Sequence, residues 1–314
     1  MAIDSAEEAG PKKYQRVRKG LSTNQRLLEW AIEWALFGAG ASSIAITVGV
    51  LSVLIYESIG FFAHVSIWEF ITGTQWFPLF DPPRFGILPL ICGTLITTGV
   101  ALTVAIPIGT VIAIYLSEYA PYNLRNVLKP ILELLSAVPT VVYGFFALSF
   151  VTPFLQTFIP GLPGFNMLGP GLVMGVMIIP YVSSLSEDAM HAVPMTMREG
   201  SYGLGATKMQ TAWRVVFPSA LSGITAAYIL GISRALGETM IVALAAGLQP
   251  TLTLDPRNPA ATITAYIVQV SGGDLPHGSI GYQSIFAAGL VLMLMTLVFN
   301  VWGYRLRKRY REVY

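Results

Sequence analysis

The chain has 314 residues, of which 54% are hydrophobic and 11% are charged, and its formal net charge is +2. The charged fraction is less than half of the roughly 25% found in soluble domains, which excludes an ordinary soluble fold and favours a membrane protein. The nearly balanced charge gives no indication of a nucleic-acid partner, and we expect contact with membrane lipid instead.

Six predominantly apolar regions follow one another along the chain, and each has the roughly 20 residues that a bilayer-spanning helix requires. We therefore predict an all-α polytopic membrane protein with six transmembrane helices in one domain, 34–304. A hydrophilic N-terminal tail, 1–33, and a basic C-terminal tail, 305–314, flank this domain. The predicted spans are 34–56, 88–117, 131–158, 169–190, 221–247 and 281–304.

Positive charge is distributed unevenly between the segments that join the spans. Sixteen of the nineteen Lys and Arg residues lie in the two tails and in the segments after the second and fourth spans. The other connecting segments hold only Arg84 and Arg257, and Arg234 lies inside the fifth apolar region. The positive-inside rule then places both termini in the cytoplasm.

The two longer segments on the predicted outer side have different compositions. Segment 57–87 contains several aromatic residues and prolines, which predict a short helix and turns at the membrane surface. Segment 248–280 is polar and rich in turn residues, with a short helix expected at 260–270.

Proline and glycine punctuate three of the apolar regions, at Pro107 and Gly109, Pro139 and Gly144, and Pro180. Broken helices survive in a membrane where protein or water satisfies the freed backbone groups, and such breaks often line a pathway. Gly and Pro are also commoner in membrane helices generally, so unbroken spans are an equal alternative.

The cytoplasmic loop 191–220 contains the stretch "REGSYGLGATKMQTAWRVVFP" at 198–218, which is too charged to span a membrane. A short interfacial helix is one interpretation. The spacing favours another, because Glu199 is followed six positions later by Gly205 and then, after nine residues, by a segment that ends in Pro218. This pattern resembles the cytoplasmic coupling motif of ABC importer permeases, in which Gly200 and Ser201 here replace two alanines.

The resemblance assigns the contact with an ATPase subunit to Glu199, Gly200, Ser201, Gly205 and Pro218. Small residues in such a loop allow close approach of another chain. The chain itself lacks the Gly-Lys dipeptide of a P-loop. Its three histidines are scattered without the spacing of metal ligands, so we expect neither enzymatic activity nor a metal site.

Further segments resemble the C-type permease subunits of phosphate-specific (Pst) ABC importers. They are "FITGTQWFP" at 70–78, the second span through 85–121, "LLSAVPTVVYGFFAL" at 134–148 and "RALGETM" at 234–240. The resemblance implies a type I importer fold in a bacterial inner membrane. It also implies a heterodimer with an A-type permease, two cytoplasmic ATPase subunits that bind ATP and Mg²⁺, and an extracytoplasmic phosphate-binding protein, with no cofactor on this chain.

Arg234 and Glu238 are opposite charges four residues apart in an apolar region, where the sequence predicts one helix face. A charge near a span centre costs about 2.5–3.5 kcal/mol on insertion scales, so such residues are usually functional. We interpret the pair as part of the phosphate pathway, although a purely structural ion pair is the alternative. Thr140 and Tyr143 follow Pro139 and present hydroxyl groups to the pathway, or else lie in the core or face lipid.

Two other functions compete with phosphate import. The same machine could carry another oxyanion, such as phosphonate, sulfate or molybdate, because the coupling motif does not separate these substrates. A proton-coupled secondary transporter that uses Glu238 as its proton site would require no ATPase partner. That hypothesis leaves the spacing from Glu199 to Pro218 unexplained.

Overall fold

The computed structural model describes residues 23–78, 80–276 and 278–309. It divides into two compact units, 1–56 and 57–314. All described residues of the first unit belong to α1 (Thr23–Phe62), whose last turns are part of the second unit. Residues 1–22 and 310–314 of the predicted tails lie outside the described residues. Residues 23–33 belong to α1 and 305–309 to the last helix, so both terminal helices extend beyond the predicted spans.

The second unit consists of helices and one two-stranded ribbon. The ribbon pairs β1 (Trp76–Phe77) antiparallel with β2 (Arg84–Phe85). The helices after α1 are α2 (Ile67–Thr72), α3 (Leu88–Ile114), α4 (Tyr122–Ala137), α5 (Thr140–Phe146), α6 (Thr152–Phe158), α7 (Leu168–His191), α8 (Met195–Gly203), α9 (Lys208–Thr211), α10 (Phe217–Ser219), α11 (Leu221–Leu236), α12 (Met240–Ala245), α13 (Ile263–Gln269) and α14 (Ile280–Arg309). Helical turns of the wider π type follow α3, α5, α9 and α13, at Tyr115–Tyr119, Ala147–Val151, Ala212–Val216 and Val270–Asp274.

The number of membrane spans is five or six. Among the described residues, five helices are long and apolar enough to cross a membrane, and a bent pair adds a sixth only if it counts as one span. The two members of this pair, Lys208–Ser219 and α11, are bent by 73° relative to each other. With 16 residues, α11 is about 24 Å long, which is less than the hydrocarbon thickness of about 30 Å. The predicted span 221–247 is therefore not one continuous helix, because α11 ends at Leu236 and α12 begins at Met240.

Only one of the three prolines singled out in the sequence interrupts a helix. Pro107 lies inside α3 and Pro180 lies inside α7, and both helices continue through them. Pro139 instead separates α4 from α5, so the predicted span 131–158 begins at Thr140. Val138, which precedes the proline, is in the extended conformation that a following proline imposes.

Glycines allow α3 and α7 to pack closely. A Cβ at Gly109 would lie 2.7 Å from Cγ1 of Val182, and a Cβ at Gly175 would lie 2.7 Å from the carbonyl oxygen of Ala101. Real Cβ atoms do not approach so closely, so the backbone of Gly109 packs against the Val182 side chain and that of Gly175 against the α3 backbone. Such contacts through small residues are typical of helix packing in membranes, where water does not drive association. Gly109 therefore has a packing role and does not mark a break.

The segments predicted to lie outside the membrane share one aromatic core. Helix α2, the β-ribbon and α13 confirm the predicted short helices and turns of these segments. Their buried aromatic side chains meet edge to face, with ring centroids 5.0 to 6.2 Å apart. This geometry adds about 0.5–1.5 kcal/mol per pair beyond burial. The rings belong to Phe61, Phe70, Trp76, Phe85 and Tyr266.

Candidate functional site

The two opposite charges of the fifth apolar region lie at the end of α11. The helix ends at Leu236, and Glu238 follows in the turn that leads to α12. The expectation that Arg234 and Glu238 occupy one continuous helix is wrong, because the helix stops between them. They nevertheless form an ion pair, with 3.8 Å between Nη2 of Arg234 and Oε2 of Glu238.

Glu238 is held in place by the backbone around it. Its Oε1 accepts hydrogen bonds from the N–H groups of Met240 at 3.1 Å and Ile241 at 3.4 Å, at the start of α12. Its own carbonyl oxygen accepts a hydrogen bond of 2.7 Å from the hydroxyl of Thr264 in α13. The side chain is only 3% exposed. Glu238 is therefore the fixed member of the pair, because its carboxylate satisfies N–H groups that the short helix leaves free.

Arg234 is the accessible member of the pair. Its side chain is 38% exposed, and its Nε is buried without a hydrogen-bond partner in the described part of the chain. The distance of 3.8 Å to Glu238 is long for an ion pair that contributes a direct hydrogen bond. The guanidinium therefore has N–H donors left over, and their fork geometry suits the oxygens of an oxyanion.

Helix α5, which follows the break at Pro139, packs directly against α12, which follows the charged turn. A Cβ at Gly144 would lie 3.1 Å from the carbonyl oxygen of Met240 and 2.8 Å from Cδ1 of Leu244. The absence of a side chain at Gly144 thus permits the contact. The structure brings together two regions that the sequence analysis treated separately, the break in the third span and the charged turn in the fifth.

Tyr143 has a clear structural role. Its hydroxyl donates a hydrogen bond of 2.6 Å to the carbonyl oxygen of Leu135, across the break. In a continuous helix that carbonyl would accept from the residue four positions later, which is Pro139 and has no N–H group. Tyr143 therefore replaces the missing donor. Thr140 is the half-buried first residue of α5, and neither side chain is hydrogen-bonded to Arg234 in the described structure.

We expect Tyr143→Phe to lower stability slightly without stopping transport. The substitution removes one hydrogen bond, worth about 1 kcal/mol, and leaves the ring in place. For a protein of this size that corresponds to a fall in melting temperature of about 1–2 °C. Thermal unfolding of the purified protein in detergent measures the shift, with Thr140→Ala as the neighbouring control. A strong loss of uptake at unchanged stability would instead place the hydroxyl in the pathway.

The predicted coupling loop is a helix, a turn and a second short helix. Gly205 follows α8 with a φ of +83°, a conformation that favours glycine. Its N–H donates to the carbonyl oxygen of Tyr202, and the next N–H donates to that of Ser201, which closes the end of α8. The Ser201 hydroxyl also lies 2.9 Å from that of Thr211. The glycine of the motif is thus needed for the turn between the two helices.

The remaining motif residues face outward. Glu199, Gly200 and Pro218 are exposed, and a side chain at Gly200 would meet no other atom within 4 Å. Several large apolar side chains beside them are exposed too, and Leu204 at the tip is 92% exposed. An apolar tip of this kind on a short protruding loop is typical of an interaction site. The other exposed apolar residues of the loop are Met195, Tyr202, Met209 and Trp213.

Arg198, the residue before the coupling motif, is buried and joins α8 to the end of the second span. Its guanidinium forms an ion pair with Glu118, with 2.9 Å between Nη2 and Oε1, and both side chains are less than 10% exposed. It also donates to the carbonyl oxygens of Met190 and Val193 at the end of α7. Sequence reasoning did not find this pair, because Glu118 and Arg198 are far apart in the chain.

A second buried carboxylate, Glu187 in α7, is paired with the amphipathic helix α4. Its oxygens lie 2.5 Å from Nη2 of Arg125 and 2.8 Å from Nζ of Lys129. Burial opposes the charge on Lys129, but its hydrogen bonds to Asp188 and Glu187 outweigh burial and raise its pKa. Lys129 therefore stays protonated at physiological pH. Helix α4 is thus fixed to α7, and helix α8 to the turn after α3, by ion pairs with buried carboxylates.

Comparison with known proteins gives one family. Residues 105–312 match the family described as binding-protein-dependent transport system inner membrane component. A probable ABC transporter permease protein, YqgH of Bacillus subtilis, is 37% identical over 82% of this chain and 83% of its own length. The phosphate transport system permease protein PstC of Mesorhizobium japonicum is 32% identical over 88% of this chain and 90% of its own length.

Solved structures with a similar fold come from importers. The chain resembles a crystal structure of a bacterial ABC transporter involved in import of the acidic polysaccharide alginate, with a TM-score of 0.61, 17% identity and coverage of 92% of this chain and 100% of that one. The alginate transporter in complex with an alginate pentasaccharide-bound periplasmic protein gives a TM-score of 0.62 at 18% identity, with coverage of 90% and 96%. At these identities the likeness concerns the fold alone.

Proposed function

Because this chain belongs to the family of inner membrane components of binding-protein-dependent transport systems, we propose that it is the C-type permease subunit of an ATP-driven importer of inorganic phosphate. It has the type I ABC importer permease fold and is a multi-pass protein of the inner membrane. Relatives of similar length that match most of the chain are phosphate transport system permeases, which supports phosphate as the substrate.

The observation that carries the proposal is the accessible guanidinium of Arg234 beside the fixed carboxylate of Glu238. Phosphate has one to two negative charges and needs a cation to replace part of its hydration. Arg stays protonated at any relevant pH and can bind phosphate oxygens with two parallel hydrogen bonds. Such a cation in an apolar span is expensive, which argues that it is retained for function.

A transport site must also release its ligand, and Glu238 supplies the means. Its carboxylate is fixed by two backbone N–H groups, so it stays near Arg234 when phosphate arrives. The carboxylate and the phosphate then compete for one guanidinium and repel each other, which keeps phosphate binding weak. The Arg234 guanidinium thus pairs with phosphate while the ligand is present and pairs with Glu238 again after the ligand leaves.

Energy for the cycle comes from a separate ATPase, which binds ATP and Mg²⁺. We place its contact at the coupling loop, through Glu199, Gly200, Ser201, Gly205 and Pro218, with the apolar tip at Leu204. Both termini then lie in the cytoplasm, in agreement with the distribution of basic residues. The complete importer contains this chain, an A-type permease, two ATPase subunits and an extracytoplasmic phosphate-binding protein.

The proposed docking of the coupling loop predicts that Leu204→Glu weakens binding of the ATPase. A carboxylate at the exposed tip would be desolvated on docking, which costs several kcal/mol unless it is paired. Co-purification of the ATPase with the tagged permease measures the loss. Leu254→Glu is the matched control, because Leu254 is 80% exposed on the segment predicted to lie outside. Equal recovery of the ATPase with both variants would contradict the docking site.

The substrate is tested by uptake. Cells that lack this chain and other phosphate transporters are complemented with the wild-type chain, and uptake of labelled phosphate and labelled sulfate is measured in parallel. We expect phosphate uptake alone to be restored, and only when the ATPase is present. Restoration of sulfate uptake alone would show another oxyanion as the substrate. Uptake that persists without the ATPase and stops when the proton gradient is dissipated would support a secondary transporter.

A further inference from the structure

A groove runs along the surface between α11 and α14, at the end of the molecule where the last helix becomes basic. It consists of two adjoining cavities of about 310 Å³ and 230 Å³. The two are neighbours, because Tyr304 and Arg307 line both. The first cavity is lined by Ser222, Tyr304, Arg307 and Lys308, and the second adds Ala226, Ile229, Leu230, Asn300 and Gly303.

The groove exists because the two helices touch closely at one point and separate beyond it. A Cβ at Gly303 would lie only 2.1 Å from Cδ1 of Ile229, so α11 and α14 are in direct contact there. The hydroxyl of Ser233 lies 3.3 Å from Oδ1 of Asn300 and joins the helices again farther along. The surface between these contacts and the basic end is left open.

The two ends of the groove differ in chemistry. Arg307 and Lys308 make the outer end basic, and none of the described lining residues is acidic. The guanidinium carbon of Arg307 lies 5.6 Å from the centroid of the Tyr304 ring, a cation–π contact that holds the charge beside the groove. The inner end is apolar, with Ala226, Ile229 and Leu230 on the α11 side. A cationic end and an apolar end match the two parts of an anionic lipid.

We propose that this groove binds an anionic phospholipid of the cytoplasmic leaflet. The lipid phosphate contacts Arg307 and Lys308 and accepts a hydrogen bond from the hydroxyl of Ser222, while an acyl chain lies along Leu230 and Ala226. Basic pockets between membrane helices on the cytoplasmic side are suited to such headgroups. The leaflet follows from the cytoplasmic termini of the proposed function.

Lipid in this position would brace the helix that carries the transport site. Ser222 lies twelve residues before Arg234 in α11, a distance of about 18 Å along the helix axis. A lipid that bridges α11 and α14 fills the gap on one side of their contact at Gly303. The expected consequence is a more stable permease in membranes that contain anionic lipid.

The test uses the whole importer complex in nanodiscs of phosphatidylcholine alone or with phosphatidylglycerol. We expect phosphatidylglycerol to raise the melting temperature of the wild-type complex, and native mass spectrometry to detect retained phosphatidylglycerol. Arg307→Gln should lose both effects. Arg305→Gln is the matched control, because Arg305 is an exposed arginine of the same helix that does not line the groove. Ala226→Phe should also lose both effects, since it fills the apolar end without changing charge.

Equal lipid retention in all four proteins would overturn the proposal, as it would reflect only general attraction of lipid to a basic surface. The same shift in melting temperature produced by inorganic phosphate in phosphatidylcholine nanodiscs would overturn it too, in favour of a free anion. Neither readout involves transport. Failure of this proposal is therefore distinguishable from failure of Arg234 as the phosphate site.

Discussion

Arg234→Gln is expected to reduce phosphate uptake at least tenfold. The amide keeps the polarity and approximate size of the side chain but removes the positive charge and the paired donors. Hydrogen bonds to charged groups contribute about 1.5–3 kcal/mol each, and 1.4 kcal/mol corresponds to a factor of ten. Arg234→Lys should retain part of the activity, because it keeps the charge without the planar fork. Initial rates of labelled phosphate uptake at equal membrane levels measure both effects.

Arg257→Gln provides the matched control. Arg257 is also an arginine paired with a nearby carboxylate, but its partner Asp255 is two residues away on an exposed segment, with 2.6 Å between Nη2 and Oδ2. The ion pair raises the pKa of Arg257 and lowers that of Asp255, so both stay charged at neutral pH. We expect normal uptake from this variant. Normal uptake from Arg234→Gln as well would show that the pair of Arg234 and Glu238 is only a structural contact.

Glu238→Gln separates the two roles of the carboxylate. The amide oxygen can still accept hydrogen bonds from Met240 and Ile241, so the start of α12 should remain intact. The negative charge that competes with phosphate is lost, and phosphate should bind more tightly and leave more slowly. We expect a lower maximal uptake rate with increased retention of phosphate by the purified complex. A faster rate would contradict the role of Glu238 in release.

The second large effect is expected from Arg198→Ala, which should destabilise the permease by about 3–5 kcal/mol. The substitution leaves Glu118 buried without its cation, and it removes the donors to the carbonyl oxygens of Met190 and Val193. The yield of folded protein in the membrane and the melting temperature of the purified complex measure the loss. Arg214→Ala is the control, because Arg214 is an exposed arginine of the same loop.

A double variant tests whether the buried charge is the cause. Arg198→Met combined with Glu118→Leu removes both charges and keeps apolar side chains of similar length. Such replacements are often neutral or stabilising, so much of the stability should return. If the double variant were no more stable than Arg198→Ala, loss of the carbonyl contacts would be the dominant effect and the unpaired Glu118 charge would be secondary.

The sequence predicted the architecture because the largest signals in it are long apolar regions and a fixed motif spacing. Gly205 is an example, since the motif spacing singled it out as a small residue of the loop and the structure shows a turn with positive φ there. Those signals are local along the chain, and they need no knowledge of which helices meet. The substrate pathway and coupling residues themselves stay predictions that the variants above test.

What the sequence could not predict depends on contacts between distant segments. Nothing near Glu118 indicates that it pairs with Arg198, and nothing near Glu187 indicates Arg125 and Lys129. The end of α11 was missed for a related reason. "RALGETM" contains one glycine and no proline, so a helix was expected to continue. The break is instead stabilised by the Glu238 carboxylate at the start of α12 and by the distant hydroxyl of Thr264.

The hydrogen bond from Tyr143 to the carbonyl oxygen of Leu135 couples positions 139 and 143, so we expect the residues at these two positions to change together in evolution. A proline at 139 leaves an acceptor without a donor, and a tyrosine at 143 supplies that donor from the next turn. If a residue with an N–H group replaced the proline, that N–H could donate to the carbonyl oxygen of Leu135. The tyrosine hydroxyl would then no longer be needed there, and α4 and α5 could form one straight helix. Homologous permeases should therefore keep both residues or change both. A group of homologues in which one of the two positions varies freely while the other stays constant would contradict this coupling.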